Sequence, residues 1–313
     1  VGESATSAIT YTISDGEGGT DTATLTVTIS GSDDGVTVNV PNDNDATIPD
    51  GNITDQVVFE SGLVDGSAPH ADDTHVESSL MLTALDGLQD AGAVTLAYTD
   101  ENGDPATLTL SKTQVEALNG EPQTLTTQYG ELTLNGYSQA GDGTITLDYD
   151  YVLMNAPDVD VDDLMDSVTV TATDEDGSTD SGDLNIKIVD DAPTATDDNG
   201  DITEGATLEV TAADGVLAND TSGADDWAST GAVVGVSAGD TDTATSVGIA
   251  ERIDGQYGYL TLNANGSYTY VATANAISAD AQDIFTYTVR DGDGDVTTAT
   301  LTLNVTDVSL PGA

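Results

Sequence analysis

The chain has no cysteine and only four basic residues, set against 57 aspartates and glutamates in 313 positions. The first absence excludes disulfides as a source of stability. The second leaves a formal charge of −53, which repels nucleic-acid phosphates and anionic membrane surfaces alike. Aromatic residues make up 4% of the chain, with a single tryptophan, Trp227. No apolar run approaches the ~20 residues of a membrane-spanning helix. Helix signals are also few. The segment "SKTQVEALNG" (111–120) has a capping box from Ser111 to Gln114 and a closing Gly120, which predicts a short helix. "SADAQDI" (278–284) predicts a single helical turn.

What is present is a regular alternation of apolar and polar residues. It runs through "ATLTVTI" (23–29), "SVTVTAT" (167–173) and "ATLTLNV" (299–305), and such period-two runs specify half-buried strands. The strands are short and separated by Gly, Asp and Asn turns, the pattern of β-sandwiches. Self-repulsion at this net charge opposes compaction. Folded domains of this composition therefore need counter-ions, and with no disulfides a metal ion is the available staple.

One motif occurs three times: "YTISDGEGGTDTATLTVTI" (11–29), "VTATDEDGSTDSGDLNIKI" (170–188) and "YTVRDGDGDVTTATLTLNV" (287–305). Asp15, Asp174 and Asp291 head the three loops, each followed by an acid two positions on (Glu17, Asp176, Asp293) and then by glycine. Such a recurrence marks an internal repeat. A second pair, "YGELTLN" (129–135) and "YGYLTLN" (257–263), precedes the last two copies only. The expected organisation is a truncated repeat at 1–31, a longer repeat with an insertion at 32–191, a second complete repeat at 192–308 and a tail at 309–313.

The sequence around these motifs is similar to a known family. "YGYLTLNANGSYTYVA" (257–272), "DIFTYTVRDGDGDVTTATLTLNVTD" (283–307) and "IVDDAPTATDDNGDITEGATLEVTAADGVLANDT" (188–221) resemble the VCBS and cadherin-like Ig-like repeats of giant RTX adhesins. "VVFESGLVDGSAP" (57–69) resembles the start of longer repeats in the same proteins. The resemblance implies tandem all-β, Ig-like sandwiches that bind calcium. It also implies type I secretion and display outside a Gram-negative cell, where such proteins serve attachment and biofilm formation. The piece at hand then lies inside a longer chain. It is expected to be monomeric, with neighbouring repeats, and host-cell or biofilm glycans or peptides, as its partners.

Calcium takes six to eight oxygen ligands. The loops offer carboxylates at Asp15, Glu17 and Asp21, at Asp174, Asp176 and Asp180, and at Asp291, Asp293 and Asp295. They are not EF-hand loops: counting from Asp291, the sixth residue is Val296 rather than glycine and the twelfth is Thr302 rather than glutamate. In an Ig-like sandwich the last hairpin loop lies at the end where the chain enters the domain. The Asp291 loop should therefore face the linker holding Asp190, Asp191, Asp197, Asp198 and Glu204, and the Asp174 loop should face Asp33 and Asp34. Calcium ions at these junctions would stiffen them. The acidic runs "NDND" (42–45), "DVDVDD" (158–163) and "ADD" (224–226) read equally well as solvated surface.

Catalysis has no comparable support. His70 and His75 flank "ADDT" near Ser78 and Ser79, but proximity in sequence does not make a triad, and zinc ligands call for better-defined spacing. Trp227 reads as core or packed cap rather than a sugar platform. The competing reading to a spacer is a peptide- or glycan-binding module, with a pocket from residues 70–90 and 111–128.

Overall fold

A computed structural model describes residues 4–30, 34–40, 56–157 and 164–308. Asp33 and the acidic runs 42–45 and 158–163 lie outside the described residues. Among the described residues the fold is all-β with one short α-helix and a few 3-10 turns, as the alternation and the capping box predict. Strands β1 (Ser4–Ser14) and β2 (Thr20–Ser30) form an antiparallel hairpin by themselves. Its register pairs Ile9 with Leu25 and Tyr11 with Ala23, and the apolar residues of that face are exposed.

The first sandwich is built from β3 (Val36–Asn39), β4 (Val57–Phe59), β5 (His75–Ala84), β6 (Val94–Thr99), β7 (Pro105–Leu110), β8 (Gln123–Thr126), β9 (Gly130–Gln139), β10 (Thr144–Leu153), β11 (Met165–Thr173) and β12 (Thr179–Val189). They make two five-stranded sheets, ordered β3-β5-β10-β9-β8 and β4-β12-β11-β6-β7. The inward residues, among them Leu80, Leu82, Leu96, Leu132, Leu134, Tyr149 and Tyr151, form one buried cluster. Each such side chain contributes about 1.5–3 kcal/mol by leaving water. The helix α1 (Lys112–Glu116) carries the expected box: Ser111 Oγ accepts from Gln114 N, and Gln114 Oε1 accepts from Ser111 N. Asn119 clamps the segment to β9 by donating to Tyr137 O (2.8 Å) and accepting from Tyr137 N (2.9 Å). The insertion around 111–128 is thus packed into the sandwich edge.

The second sandwich uses β13 (Asp198–Thr203), β14 (Thr207–Val210), β15 (Val233–Ala238), β16 (Ile253–Asp254), β17 (Gly258–Leu262), β18 (Tyr268–Ala272), β19 (Ala281–Arg290) and β20 (Val296–Thr306). Two four-stranded sheets, β13-β20-β19-β15 and β14-β18-β17-β16, enclose Tyr270, Phe285, Tyr287, Leu301 and Leu303. Residues 281–284 belong to β19, not to the helical turn expected over 278–284. Tertiary pairing overrides the local signal. Asp283 is buried and accepts from Gln256 N, Tyr257 N and Tyr270 Oη.

That carboxylate explains the repeated "YG". Tyr270 Oη reaches Asp283 (2.6 Å), as Tyr151 Oη reaches Asp166 (2.7 Å) in the first sandwich. A Cβ on Gly258 would lie 2.5 Å from Tyr270 Oη and 2.4 Å from Val271 O; one on Gly130 would lie 2.5 Å from both Tyr151 Oη and Val152 O. The glycine makes room for the tyrosine hydroxyl. Gly258→Ala is expected to destabilise the second sandwich by about 2–3 kcal/mol through overpacking. Chemical denaturation of the variant measures this, and a loss within experimental error of zero would sink the account.

One topological feature recurs and positions the candidate site. In both sandwiches the first strand of a sheet pairs parallel with the last strand: Phe59 lies opposite Val189, and Thr203 opposite Thr306. Each such strand therefore ends beside the point where the chain leaves its sandwich, β13 after six residues of pairing and β4 after three.

Candidate metal centre at the junction of the sandwiches

The three repeated loops share one backbone form. Asp15 N donates to Gly19 O, Asp174 N to Ser178 O and Asp291 N to Asp295 O. A fourth hairpin, not visible as a repeat in the sequence, does the same with Asp100 N and Asp104 O. What separates the four is burial. Asp15 is exposed and Asp100 half-buried, and backbone N–H groups donated to their carboxylates hold both below the usual range. Asp174 and Asp291 are each 1% exposed. Isolated bridges set Leu88 opposite Asp174, Trp227 opposite Asp291 and Thr127 opposite Asp100. Trp227 packs against the second core, as its core reading anticipates.

The Asp291 loop rests on the segment 224–228. Asp226 adopts φ 58°, a left-handed conformation that aspartate tolerates better than most residues. The turn leaves the backbone of Asp225 against Gly292, where an added Cβ would meet Asp225 O at 2.2 Å. Asp225 in turn lies beside Glu60, at the end of β4, and Asp190, just after β12. The three carboxylates each place an oxygen within 4.8 Å of the others. One comes from the first sandwich, one from the linker and one from the second sandwich. Glu60 is 2% exposed. Burial first, then the charges of Asp225 and Asp190, push its carboxyl up to about 9. Burial, and then the adjoining Asp293 carboxyl, push Asp291 up to about 7. Glu60 Oε2, Asp291 Oδ2 and both carboxylate oxygens of Asp293 are buried and have no hydrogen-bond donor among the described residues.

Asp191 is placed differently. Its carboxylate accepts from Ser67 N (2.7 Å), Ser67 Oγ and Ala224 N (3.0 Å), so it ties the first sandwich to the second. Gly223, φ +79°, is required there because a Cβ would meet Asp191 O at 2.1 Å. Asp197 accepts from Thr300 N and Oγ1 and fastens β13 to β20. Asp198 and Asp220 both accept from Tyr287 Oη inside the second sandwich, and burial pushes Asp198 up to about 6.

Glu204 corrects the sequence expectation. It lies not with the Asp291 loop but at the far end of its sandwich, where its N–H donates to Thr306 O and its Oε1 accepts from Val308 N. Six residues of parallel strand carry it there, about 20 Å at 3.3 Å per residue. It is the counterpart of Glu60. Around the other loops, Asp180 accepts from Val38 N on β3, Asp21 accepts from Thr22 N, and Asp34 is exposed.

Glu60 and Asp225 are absent from the sequence-derived ligand set. Glu60 had a readable signal: "ESG" (60–62) closes β4 much as "EG" (204–205) closes β13. The donor set at the junction is all carboxylate oxygen, which suits a hard cation such as calcium rather than zinc. The buried acceptors lacking donors are what such a cation would satisfy, so these residues fit the ion.

No curated protein matches the sequence. Among solved structures the chain is similar to one described as host cell surface retention of a 1.5-MDa bacterial ice-binding adhesin, at 16% identity over 97% of this chain and 74% of that one, TM-score 0.27. It is also similar to a tetra-tandem repeat in the extending region of a large adhesion protein, at 14% identity over 96% of this chain and 57% of that one, TM-score 0.26. Drosophila N-cadherin EC1-4 matches at 15% identity over 93% of this chain and 54% of that one, TM-score 0.28. These last two are spanned over little more than half their length. The family match is confined to one stretch: residues 190–307 match the model of the bacterial cadherin-like domain.

Proposed function

We propose that the chain is a calcium-stiffened spacer from the extracellular part of a bacterial adhesin of the RTX type, secreted by a type I system and attached to the surface of a Gram-negative cell. In this reading it is a non-enzymatic stalk that serves attachment and biofilm formation. The hairpin β1–β2 is the end of a preceding repeat, and residues 32–191 and 192–308 are two successive units. The sequence resemblance and the bacterial cadherin-like match at 190–307 support the setting. The observation that carries the reading is the meeting of Glu60, Asp190 and Asp225 from both sides of one junction, with the Asp291 loop resting on the Asp225 backbone and holding carboxylate oxygens of Asp291 and Asp293 that are buried with no donor among the described residues.

Calcium, when bound, supplies the positive charge that these converging carboxylates otherwise lack. Glu60 and Asp190 anchor the ion to the first sandwich. Asp225, Asp291 and Asp293 anchor it to the second. Asp191 holds the linker close through Ser67 and Ala224, so the ligands from both units stay within reach. A junction tied at several points resists bending, as a spacer requires. Small-angle X-ray scattering of the chain in calcium and in chelator tests this. The maximum dimension should be sharply defined in calcium, and a broadened distance distribution should appear on chelation. Identical profiles would remove the spacer reading.

A further inference from the structure

The first sandwich carries a second group of convergent ligands, remote in character from the junction because it includes nitrogen. β5 and β10 are antiparallel, with Glu77 directly opposite Asp150 and His75 opposite Val152. Alternation puts His75 and Glu77 on one face of β5, where Asp150 faces both of them. The three side chains each place a ligand atom within 4.8 Å of the others, and His75 Nε2 contacts Asp150 Oδ1. His75 and Asp150 are about one-third exposed, at 31% and 30%, while Glu77 is freely exposed.

Two carboxylates directly across a strand pair destabilise it unless a cation lies between them. One imidazole cannot neutralise both. We propose that His75, Glu77 and Asp150 bind a zinc-class divalent cation, distinct from the calcium expected at the junction. One neutral imidazole and two carboxylates balance the charge of a divalent ion. Tetrahedral zinc takes nitrogen at ~2.0–2.1 Å and carboxylate oxygen at ~2.0–2.2 Å, which sets ligands about 3.3 Å apart. The exposed Glu77 side chain supplies the freedom to close to that spacing. The fourth position would fall to water, because a cleft of about 310 Å³ opens beside His75 and Glu77, walled by Val57, Phe59, Asp72 and Asp73. The imidazole nitrogen is what favours a zinc-class ion here, since calcium prefers oxygen ligands throughout.

The test uses the whole chain in excess calcium, titrated with zinc chloride. Calorimetry reads stoichiometry, and long-range ¹H–¹⁵N NMR reads the imidazoles, of which the chain has two. About one equivalent of zinc should bind and shift the His75 ring while His70 stays in place. His75→Ala and Asp150→Asn should each weaken binding at least tenfold, since even outer-shell losses cost about 10–100-fold. The wild-type spectrum decides the matter if either variant fails to fold. No zinc uptake, uptake that moves only His70, or uptake that His75→Ala leaves intact would each show the trio to be a hydrogen-bonded surface pair and nothing more.

Discussion

Calcium is expected to raise the melting temperature by about 10 °C near pH 8, and by far less near pH 5. The size follows from mass action: an ion at 100 times its dissociation constant adds about 2.7 kcal/mol, and each kcal/mol is worth several degrees for a domain of this size. The pH dependence follows from the ligands. In chelator, Glu60 in the folded chain is pushed from 4.5 up to about 9 and Asp291 from 3.8 up to about 7, chiefly by burial. A carboxyl raised in this way favours the folded state while it is protonated. Its contribution is complete below the unfolded value and is lost as pH rises through the folded one. The calcium-free protein should therefore lose stability steadily from about pH 4 to pH 9. Calcium needs the ionised forms, so its contribution grows over the same window and the two curves diverge upward. Calorimetry at pH 5 and pH 8, with calcium and with chelator, reads all four corners. A calcium increment as large at pH 5 as at pH 8 would exclude these carboxylates as the ligands.

Glu60→Gln separates the site from the general self-repulsion of a chain with charge −53, which acts in the same direction. Glutamine keeps the shape and removes the charge. In chelator at pH 8 the variant should be at least as stable as the parent, because Glu60, raised to about 9 beside Asp190 and Asp225, must take up a proton to fold and glutamine need not. In calcium it should be less stable than the parent, with affinity at the junction lowered about 10–100-fold or more. Opposite signs in the two conditions are the signature of a ligand; a merely structural residue would move both the same way. Asp100→Asn is the control. Asp100 forms the same type of loop but belongs to no carboxylate cluster among the described residues, and its replacement should leave the calcium increment untouched. Equal calcium increments for the parent and Glu60→Gln would put the ion elsewhere.

The strands and the short helix were legible because their signals are local. Alternation fixes which side of "ATLTLNV" (299–305) faces inward, and Ser111 and Gln114 need only each other to start a helix. The Asp291 loop was legible as a repeat, whereas the segment it rests on, Asp225 to Trp227, was not part of the expected set. What sequence could not supply was transport along a strand. Glu204 is near Asp198 in sequence, yet β13 takes it to the opposite end of the sandwich, and β4 likewise brings Glu60 to Asp190. Asp225 was ambiguous for a different reason. Its placement follows from the turn at Asp226 and the close approach of Gly292, and neither is visible in "ADD" alone. The loop at Asp100 shows the limit from the other side, since the same backbone bond arises there with no converging carboxylate cluster among the described residues.

Parallel pairing of the first and last strands has a consequence for how such a chain can change length. Each unit holds its glutamate where the chain departs and its acidic hairpin where the chain arrives. Every unit thus presents a socket at one face and a plug at the other. Where the outer faces pair as this junction does, a whole unit duplicated or excised by recombination would bring together faces that match. A break inside a unit strands one half without its complement. The grammar of the array is written in the direction of a single strand.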